Sequence, residues 1–136
     1  MAKTKAFEIA ELIRVFSYDT GTDEIVTTKR TRDKNKLNGG LTTTATTEVA
    51  LDTFAHASFR TARYIVSMSK GSDFHSTEVV LVHDGSAVTL TQYGTLKSSN
   101  LATFDADISG SDVRLLITPA SVDSTVTKFD RTTVDA

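Results

Sequence analysis

The chain contains no cysteine and no tryptophan, and it has one proline among its 136 residues. Without cysteine it cannot form a disulfide framework, a cysteine-ligated zinc site or a thiol nucleophile. No apolar run reaches 18 residues, so we expect no transmembrane helix. Glu8 and Glu11 stand where a signal peptide needs apolar residues, so we expect no secretion signal. Lys and Arg number 15 against 17 Asp and Glu, and this near-neutral balance predicts no general affinity for nucleic acid.

Threonine and serine are abundant instead, with 23 and 13 copies. The β-branched side chain of threonine suits a pleated sheet, and its hydroxyl suits the face that meets water. Apolar residues make up 39% of the chain, which is enough for the core of one domain. This composition favours an all-β protein.

From residue 45 onward, six or seven strand-like runs follow one another at roughly ten-residue spacing. Their apolar residues alternate with polar ones, as in a sheet with one buried face. The alternation groups Val49 with Leu51, and Tyr64 with Val66 and Met68. The most regular runs cover residues 47–54, 60–69, 77–83, 87–93, 101–108, 113–118 and 122–134. The pattern predicts an antiparallel β-sandwich over residues 41–136, with a core that includes Val66, Val80, Val82, Leu90, Leu115 and Ile117.

Turn signals separate these runs. Gly71 and Gly110 each follow one run and precede another, as expected in turns. Asp84-Gly85 is the strongest signal, and it predicts a two-residue type I′ turn. Pro119 is expected to end a strand, because proline cannot donate to the ladder.

Residues 1–40 form a separate N-terminal arm in this interpretation. The net charge is +2 up to residue 40 and −4 beyond it. Asn38-Gly39-Gly40 lies where the charge changes sign, and its two glycines predict a flexible linker. Apolar residues at 6, 9, 10, 13 and 16 follow helical spacing and favour a helix, whereas Ile13 and Phe16 are residue types that favour a strand. Residues 18–23 read as a turn and residues 24–28 as a short strand.

Five basic residues lie close together at the end of the arm: Lys29, Arg30, Arg32, Lys34 and Lys36. One interpretation is a solvated loop. A second is an electrostatic contact with an acidic protein surface. Specific binding of nucleic acid is the weakest, because no aromatic residues are interleaved for base stacking.

Histidine, aspartate and serine residues are present, but their spacing in the sequence predicts no catalytic or metal-binding site. His75 and His83 are expected at opposite ends of one strand, roughly 27 Å apart, which is too far to share a metal. His83 is expected to be an exposed hairpin residue, and His56 to lie in a connection. Asp105 and Asp107 share one face of a strand and are expected to be solvent-exposed. No phosphate-binding loop and no Gly-x-Ser-x-Gly motif is present, so we predict no enzyme activity, no metal and no cofactor.

Residues 60 to about 133 resemble a short β-rich domain in virion structural proteins of tailed bacteriophages that infect marine cyanobacteria and related hosts. The resembling segments are 63–74, 77–85, 91–96, 104–110 and 113–119. The resemblance implies a virion component, either a capsid decoration protein or a part of a tail fibre. It covers a little over half of the chain.

Two functions follow as expectations. The first is a decoration (cement) protein that contacts the major capsid protein or other virion proteins on the outer capsid surface, with a homotrimer preferred and a dimer or monomer left open. The second is a tail-fibre or baseplate module that recognises host-surface glycan, with Tyr18, Phe74, Tyr93 and the carboxylates as candidate contacts.

The arm would supply much of the contact with the virion. Its candidate partner-binding residues are the five basic side chains together with an apolar stripe, Phe7, Ile9, Leu12, Ile13 and Phe16, which so short a segment cannot bury by itself. The alternative is that the stripe docks on the chain's own sandwich.

Overall fold

The computed structural model describes residues 16–19, 24–27 and 34–136, which form ten strands. Contacts divide the chain into two units, residues 1–33 and 34–136. The described part of the chain contains no helix that could span a membrane. The strands are β1 (Phe16–Asp19), β2 (Glu24–Thr27), β3 (Lys36–Thr43), β4 (Val49–Ala55), β5 (Phe59–Lys70), β6 (Asp73–His83), β7 (Val88–Lys97), β8 (Ala102–Ser109), β9 (Asp112–Pro119) and β10 (Thr125–Asp135).

The first unit contains the antiparallel pair β1–β2, in which Phe16 lies opposite Thr27 and Asp19 opposite Glu24. The strand predicted at 24–28 is therefore confirmed. β1 continues through Asp19. Residues 18 and 19 therefore belong to a strand and not to the turn predicted over residues 18–23. Phe16 lies in a strand and not at the end of a helix, and the remainder of the predicted helix lies outside the described residues.

The second unit is an antiparallel β-sandwich, as predicted. One sheet has the order β3-β10-β5-β6-β7 and the other the order β4-β9-β8. We call these the five-stranded and the three-stranded sheet. Three of the six pairings join consecutive strands, β5–β6, β6–β7 and β8–β9. The other three, β3–β10, β5–β10 and β4–β9, join strands that are distant in the sequence.

Two hairpins follow the predicted glycine signals closely. Lys70 pairs with Asp73 across Gly71-Ser72, and Ser109 pairs with Asp112 across Gly110-Ser111. The two glycines have φ values of 58° and 62°. A two-residue hairpin loop needs positive φ at its first central position, which glycine adopts without steric cost.

The Asp84-Gly85 hairpin is present, but its predicted two-residue type I′ turn is wrong. His83 pairs with Val88, so the loop spans four residues. The Asp84 carboxylate accepts hydrogen bonds from the backbone N–H groups of Ser86 and Ala87, at 2.8 and 2.7 Å. These bonds lower the pKa of Asp84 to about 2. The carboxylate thus organises a wider loop than the Asp-Gly dipeptide alone indicates.

The core lies between the two sheets. The five-stranded sheet contributes Ala62, Tyr64, Val66, Met68, Val79, Leu81 and Phe129, and the three-stranded sheet contributes Leu51, Phe54, Ala102, Val113, Leu115 and Ile117. The predicted core residues Val66, Leu115 and Ile117 are fully buried, and Leu90 is partly buried against the cluster.

Val80 and Val82 were expected in the core, and this prediction is wrong. Val82 is 46% exposed, whereas Val79 and Leu81 are fully buried. Residues 79–82 are all apolar, so their pattern does not identify the inner face. Pairing with β5 decides it, because Val79 lies opposite the buried Tyr64 and Leu81 opposite Ala62.

Asn38-Gly39-Gly40 is not a linker but the middle of β3. A Cβ atom on Gly40 would lie 2.5 Å from the backbone oxygen of Thr127, and one on Gly39 would lie 2.7 Å from the Phe129 ring. Both glycines therefore permit a close approach of β3 to β10. Their role here is to leave space, and not to make the chain flexible as the linker prediction assumed.

Candidate interaction surface

The outer face of the five-stranded sheet carries most of the exposed apolar side chains of the described residues. We define this outer face as the side of the sheet directed away from the three-stranded sheet. Six of the eight large exposed apolar residues lie on it: Ile65, Phe74, Val82, Tyr93, Leu96 and Val134. An exposed apolar set on one sheet face is a feature of interaction surfaces.

Strand pairing aligns one row of side chains across this face. The row runs Asn38, Asp130, Ile65, Glu78 and Tyr93, each residue directly opposite the next on the neighbouring strand. With strands about 4.8 Å apart, the row is about 19 Å long. It combines amide, carboxylate, aliphatic and phenolic groups.

An ion pair lies in the middle of the outer face. Arg63 Nε and Nη2 donate to the Glu78 carboxylate at 2.9 and 2.5 Å. The hydrogen bond that Arg63 donates, followed by the one from Tyr93, lowers the pKa of Glu78. The bond that the Glu78 carboxylate accepts also raises the pKa of Arg63. Both groups meet solvent, so the pair orients side chains more than it stabilises the fold.

An open groove of about 510 Å³ lies on the same face, above β3, β10 and β5. Its lining residues are Asn38, Gly39, Gly40, Ile65, Ser67, Lys128, Phe129 and Asp130. On this face Gly40 has no side chain that would occupy the groove, and the absent side chain of Gly39 leaves room for the Phe129 ring on the inner face. Lys128 and Asp130 contribute one positive and one negative group to its lining.

The sequence-predicted partner-binding residues fall into two groups. Lys34 and Lys36 belong to the second unit: Lys34 Nζ lies 2.7 Å from the Asp135 carboxylate, and Lys36 lies in β3 opposite Thr132. Phe16 begins β1. The other candidates lie outside the described residues, namely Phe7, Ile9, Leu12, Ile13, Lys29, Arg30 and Arg32.

The histidines lie where the strand pattern places them, but their environments differ from expectation. His75 and His83 lie near opposite ends of β6. His83 was expected to be exposed, and this is wrong, because it is 3% exposed and its Nε2 lies 2.6 Å from the Phe59 carbonyl oxygen. His75 is 1% exposed, and burial, followed by the charge of Lys97, lowers its pKa.

A buried ion pair between the sheets is the main feature that sequence reasoning missed. Arg131 Nη1 and the Tyr64 hydroxyl both donate to Asp52 Oδ2, at 2.7 and 2.9 Å. The two charged side chains are 7% and 8% exposed. The Arg131 guanidinium also lies over the rings of Phe54 and Phe59, 5.4 and 5.8 Å from their centroids. The burial of Arg131 could have been predicted from β10, because Arg131 follows Thr127 and Phe129 at every second position and therefore lies on the same face of the strand.

A bulge in β4 brings Asp52 to this position. The pairing of β4 with β9 shifts between Ala50 and Asp52. Leu51 and Phe54 are both buried as a result, although simple alternation places them on opposite faces. A β-bulge changes the direction of the side chains that follow it.

Asp105 and Asp107 do not form a carboxylate pair for a cation. Asp107 accepts two hydrogen bonds from Arg114, one of them 2.7 Å from Nε, and this contact lowers the pKa of Asp107. Asp105 Oδ1 accepts from the backbone N–H of Ala106. Among residues 34–136, no three His, Asp or Glu side chains lie close enough together to hold a metal ion.

Comparison with known protein families finds no match, and comparison with curated proteins finds none either. Among solved structures, the chain resembles the tailspike protein of Acinetobacter phage vB_ApiP_P1, with a TM-score of 0.50, 17% identity, and coverage of 81% of this chain and 23% of the tailspike. At this identity the likeness establishes a shared fold.

Two further tailspike proteins resemble the chain more weakly. One is from Acinetobacter baumannii phage AM24, with a TM-score of 0.36, 10% identity, and coverage of 75% of this chain and 27% of the tailspike. The other is from Acinetobacter baumannii phage Fri1, a capsular polysaccharide depolymerase, with a TM-score of 0.33, 9% identity, and coverage of 98% and 24%. The chain thus spans about a quarter of each tailspike, and none of the three supports cyanobacterial phages as its source.

Proposed function

We propose that the chain is a tail-associated structural domain of a bacteriophage, of the tailspike or tail-fibre type. The observation that carries the proposal is the fold likeness to the vB_ApiP_P1 tailspike, which covers 81% of this chain. The phage resemblance of residues 60–133 agrees with it. In this function the outer face of the five-stranded sheet contacts a neighbouring virion protein.

Capsid decoration, the first expectation from the sequence, receives no support from these comparisons. Tailspikes belong to the tail, so the fold likeness favours the alternative function over a contact with the major capsid protein. A tail domain acts in few copies, whereas a decoration protein covers the capsid in hundreds. The two functions therefore differ in a quantity that can be measured.

Copy number in purified virions tests the proposal. We expect densitometry to give a few copies per particle and gold-labelled antibodies to mark the tail in electron micrographs. Hundreds of copies, with label over the capsid, would refute the tail assignment and restore the decoration function.

A second candidate function is binding of a host-surface glycan. The specific observation that favours it is the groove at Ser67, Lys128 and Asp130, whose hydroxyl, ammonium and carboxylate groups match the hydrogen-bonding groups of a sugar. The exposed Tyr93 lies on the same face and offers a stacking surface, and Phe74 is another exposed ring there.

Glycan arrays test this second function. Binding by the intact protein that is lost in Lys128→Ala and Tyr93→Ala, but kept in Thr103→Ala on the three-stranded sheet, would support the groove as the site. Equal loss in all three variants, or no binding by the intact protein, would contradict it. Enzyme activity remains predicted absent, and release of sugar from capsular polysaccharide by the purified protein would overturn that prediction.

A further inference from the structure

β3 has one unpaired edge among the described residues. It pairs with β10 over all eight of its residues, from Lys36 opposite Thr132 to Thr43 opposite Thr125, without any shift in register. No described strand pairs with its other side. An edge strand that is paired regularly on one side is a template for the addition of another strand on its free side.

The phase of the ladder identifies the backbone groups at this edge. The N–H of Thr133 donates to the carbonyl oxygen of Asn35 at 2.8 Å, so Asn35 faces β10. Successive residues of an antiparallel strand direct their backbone groups to opposite sides. The N–H and C=O groups that face the free edge therefore belong to Lys36, Asn38, Gly40 and Thr42.

The other edges of the two sheets carry features that hinder strand addition. β7 contains a bulge at Gly94, which has a φ of 61° and lies where the pairing with β6 shifts. β4 has the bulge between Ala50 and Asp52. β8 carries Asp105 and Asp107. Bulges and edge charges are the usual protections of free edges, and β3 has no bulge and one charged residue, Lys36.

We propose that β3 binds β3 of a second copy of this chain in an antiparallel, two-fold arrangement. Lys36 would pair with the partner's Thr42, and Asn38 with the partner's Gly40. This register uses all four edge residues of each copy and places no like charges opposite each other. Gly40 has no side chain, so the Asn38 side chain meets no obstacle across the edge. The same surface contacts itself, as two-fold symmetry requires.

The pairing joins the two five-stranded sheets into one ten-stranded sheet. It also brings the two grooves together at the symmetry axis, because Asn38 and Gly40 line the groove of each copy. A dimer is one of the association states that the sequence leaves open beside the preferred trimer. The proposal is independent of whether the protein belongs to the tail or to the capsid.

Light scattering coupled to size-exclusion chromatography of the full chain tests the proposal. We expect a mass of twice 14.7 kDa, with dissociation on dilution. Asn38→Pro removes an N–H that faces the free edge and leaves the ladder to β10 intact. We expect it to raise the dissociation constant at least tenfold with an unchanged β-type circular dichroism spectrum. Asn38→Ala keeps the N–H and is expected to remain dimeric.

Two further measurements keep the test decisive. If Asn38→Pro does not fold, Thr42→Pro removes a second edge N–H near the other end of β3 and takes its place. Hydrogen exchange of the unmodified protein should show the Asn38 and Gly40 amides protected at high concentration and unprotected on dilution. A monomer or a trimer at all concentrations, a dimer that survives both proline variants, or concentration-independent exchange at these amides would overturn the proposal.

Discussion

The ion pair of Asp52 and Arg131 is the residue-scale feature whose removal should affect stability most. Asp52→Asn keeps an acceptor for the Tyr64 hydroxyl but leaves the buried guanidinium without its counter-charge. We expect the free energy of unfolding to fall by about 3–5 kcal/mol, as is typical when one partner of a buried pair is removed. Urea denaturation at neutral pH measures the loss.

Glu78→Gln is the matched control, since it breaks the solvent-exposed pair with Arg63. Its cost should be much smaller than that of Asp52→Asn, because water solvates both charges when the exposed pair is broken. Equal losses in Asp52→Asn and Glu78→Gln would mean that the buried pair contributes no more than a surface pair.

The sequence predicts that both Leu115 and Val82 lie in the core, and alanine substitutions at the two positions test the difference that the structure shows. Leu115 is fully buried between the sheets, and Val82 is 46% exposed on the outer face. We expect Leu115→Ala to cost about 2–5 kcal/mol because it leaves a cavity, and Val82→Ala to cost clearly less. Thermal and urea unfolding check both values, and a larger loss for Val82→Ala would contradict the inner face assigned to β6.

His75 predicts a dependence of stability on pH. Burial, followed by the Lys97 charge, lowers its pKa in the folded state below the ordinary value of 6.5. In the pH range just below 6.5 the unfolded chain therefore binds more protons, so stability rises with pH. The contribution of neutral His75 to the free energy of unfolding is complete above about pH 6.5, and it is lost progressively as the pH falls below that value.

Replacement of His75 by Asn tests this dependence. Asn retains an acceptor near the position of Nδ1, which accepts from the Leu101 N–H at 3.4 Å, but it does not titrate. We expect unfolding free energies between pH 7.5 and 5.5 to fall less steeply in His75→Asn than in the unmodified protein. Parallel slopes would show that His75 does not titrate in this range.

At the scale of the element, β3 is a strand that its own residues hardly predict. Lysine, asparagine and two adjacent glycines are poor strand formers. The strand forms because β10 supplies a partner for each of its eight residues, and because glycine allows the two backbones to approach. The hairpins of β5–β6 and β8–β9, in contrast, depend on neighbouring residues and are visible in the sequence.

Gly40→Ala tests the close approach of β3 to β10. In a permissive strand position, replacement of glycine by alanine stabilises a protein by about 0.4–1 kcal/mol. Here the new Cβ would meet backbone at 2.5 Å, so we expect a loss of about 1–3 kcal/mol, as in overpacked cores. Thr42→Ala, on the same strand, is the control and should change stability little. A gain in Gly40→Ala, measured by urea denaturation, would contradict the close contact.

At the scale of the whole molecule, the division between residues 33 and 34 suggests where to separate the arm from the sandwich. We expect residues 34–136 to fold alone, because they contain both sheets of the sandwich, the ion pair of Lys34 with Asp135, and all of β3. A β-type circular dichroism spectrum and a cooperative thermal transition would confirm this. Loss of both would mean that residues 1–33 complete the core.

The same truncation tests the arm as the virion anchor. The hypothesis that Phe7, Ile9 and their neighbours contact the virion predicts a folded truncated protein that no longer associates with particles. Normal association of the folded truncated protein would refute that role. A cut after residue 36 is less suitable, because it removes Lys34 and the first residue of β3.

Local sequence patterns are enough to predict the fold class, most strand positions and a turn at each Gly-Ser pair. These features depend on alternation along one strand and on the φ values of single residues, so a local pattern is enough to indicate them. The candidate surface could be predicted in part, since Tyr93 and Phe74 were identified as candidate contacts from their residue types.

Three features follow only from the folded arrangement: the buried face of β6, the strand formed by β3, and the contact of Asp52 with Arg131. Each of these depends on pairing between segments far apart in the chain, such as the 79 positions that separate the two charges. A one-residue change in register reverses the buried face of a strand. Neither an all-apolar run nor a glycine pair contains the information that selects that register.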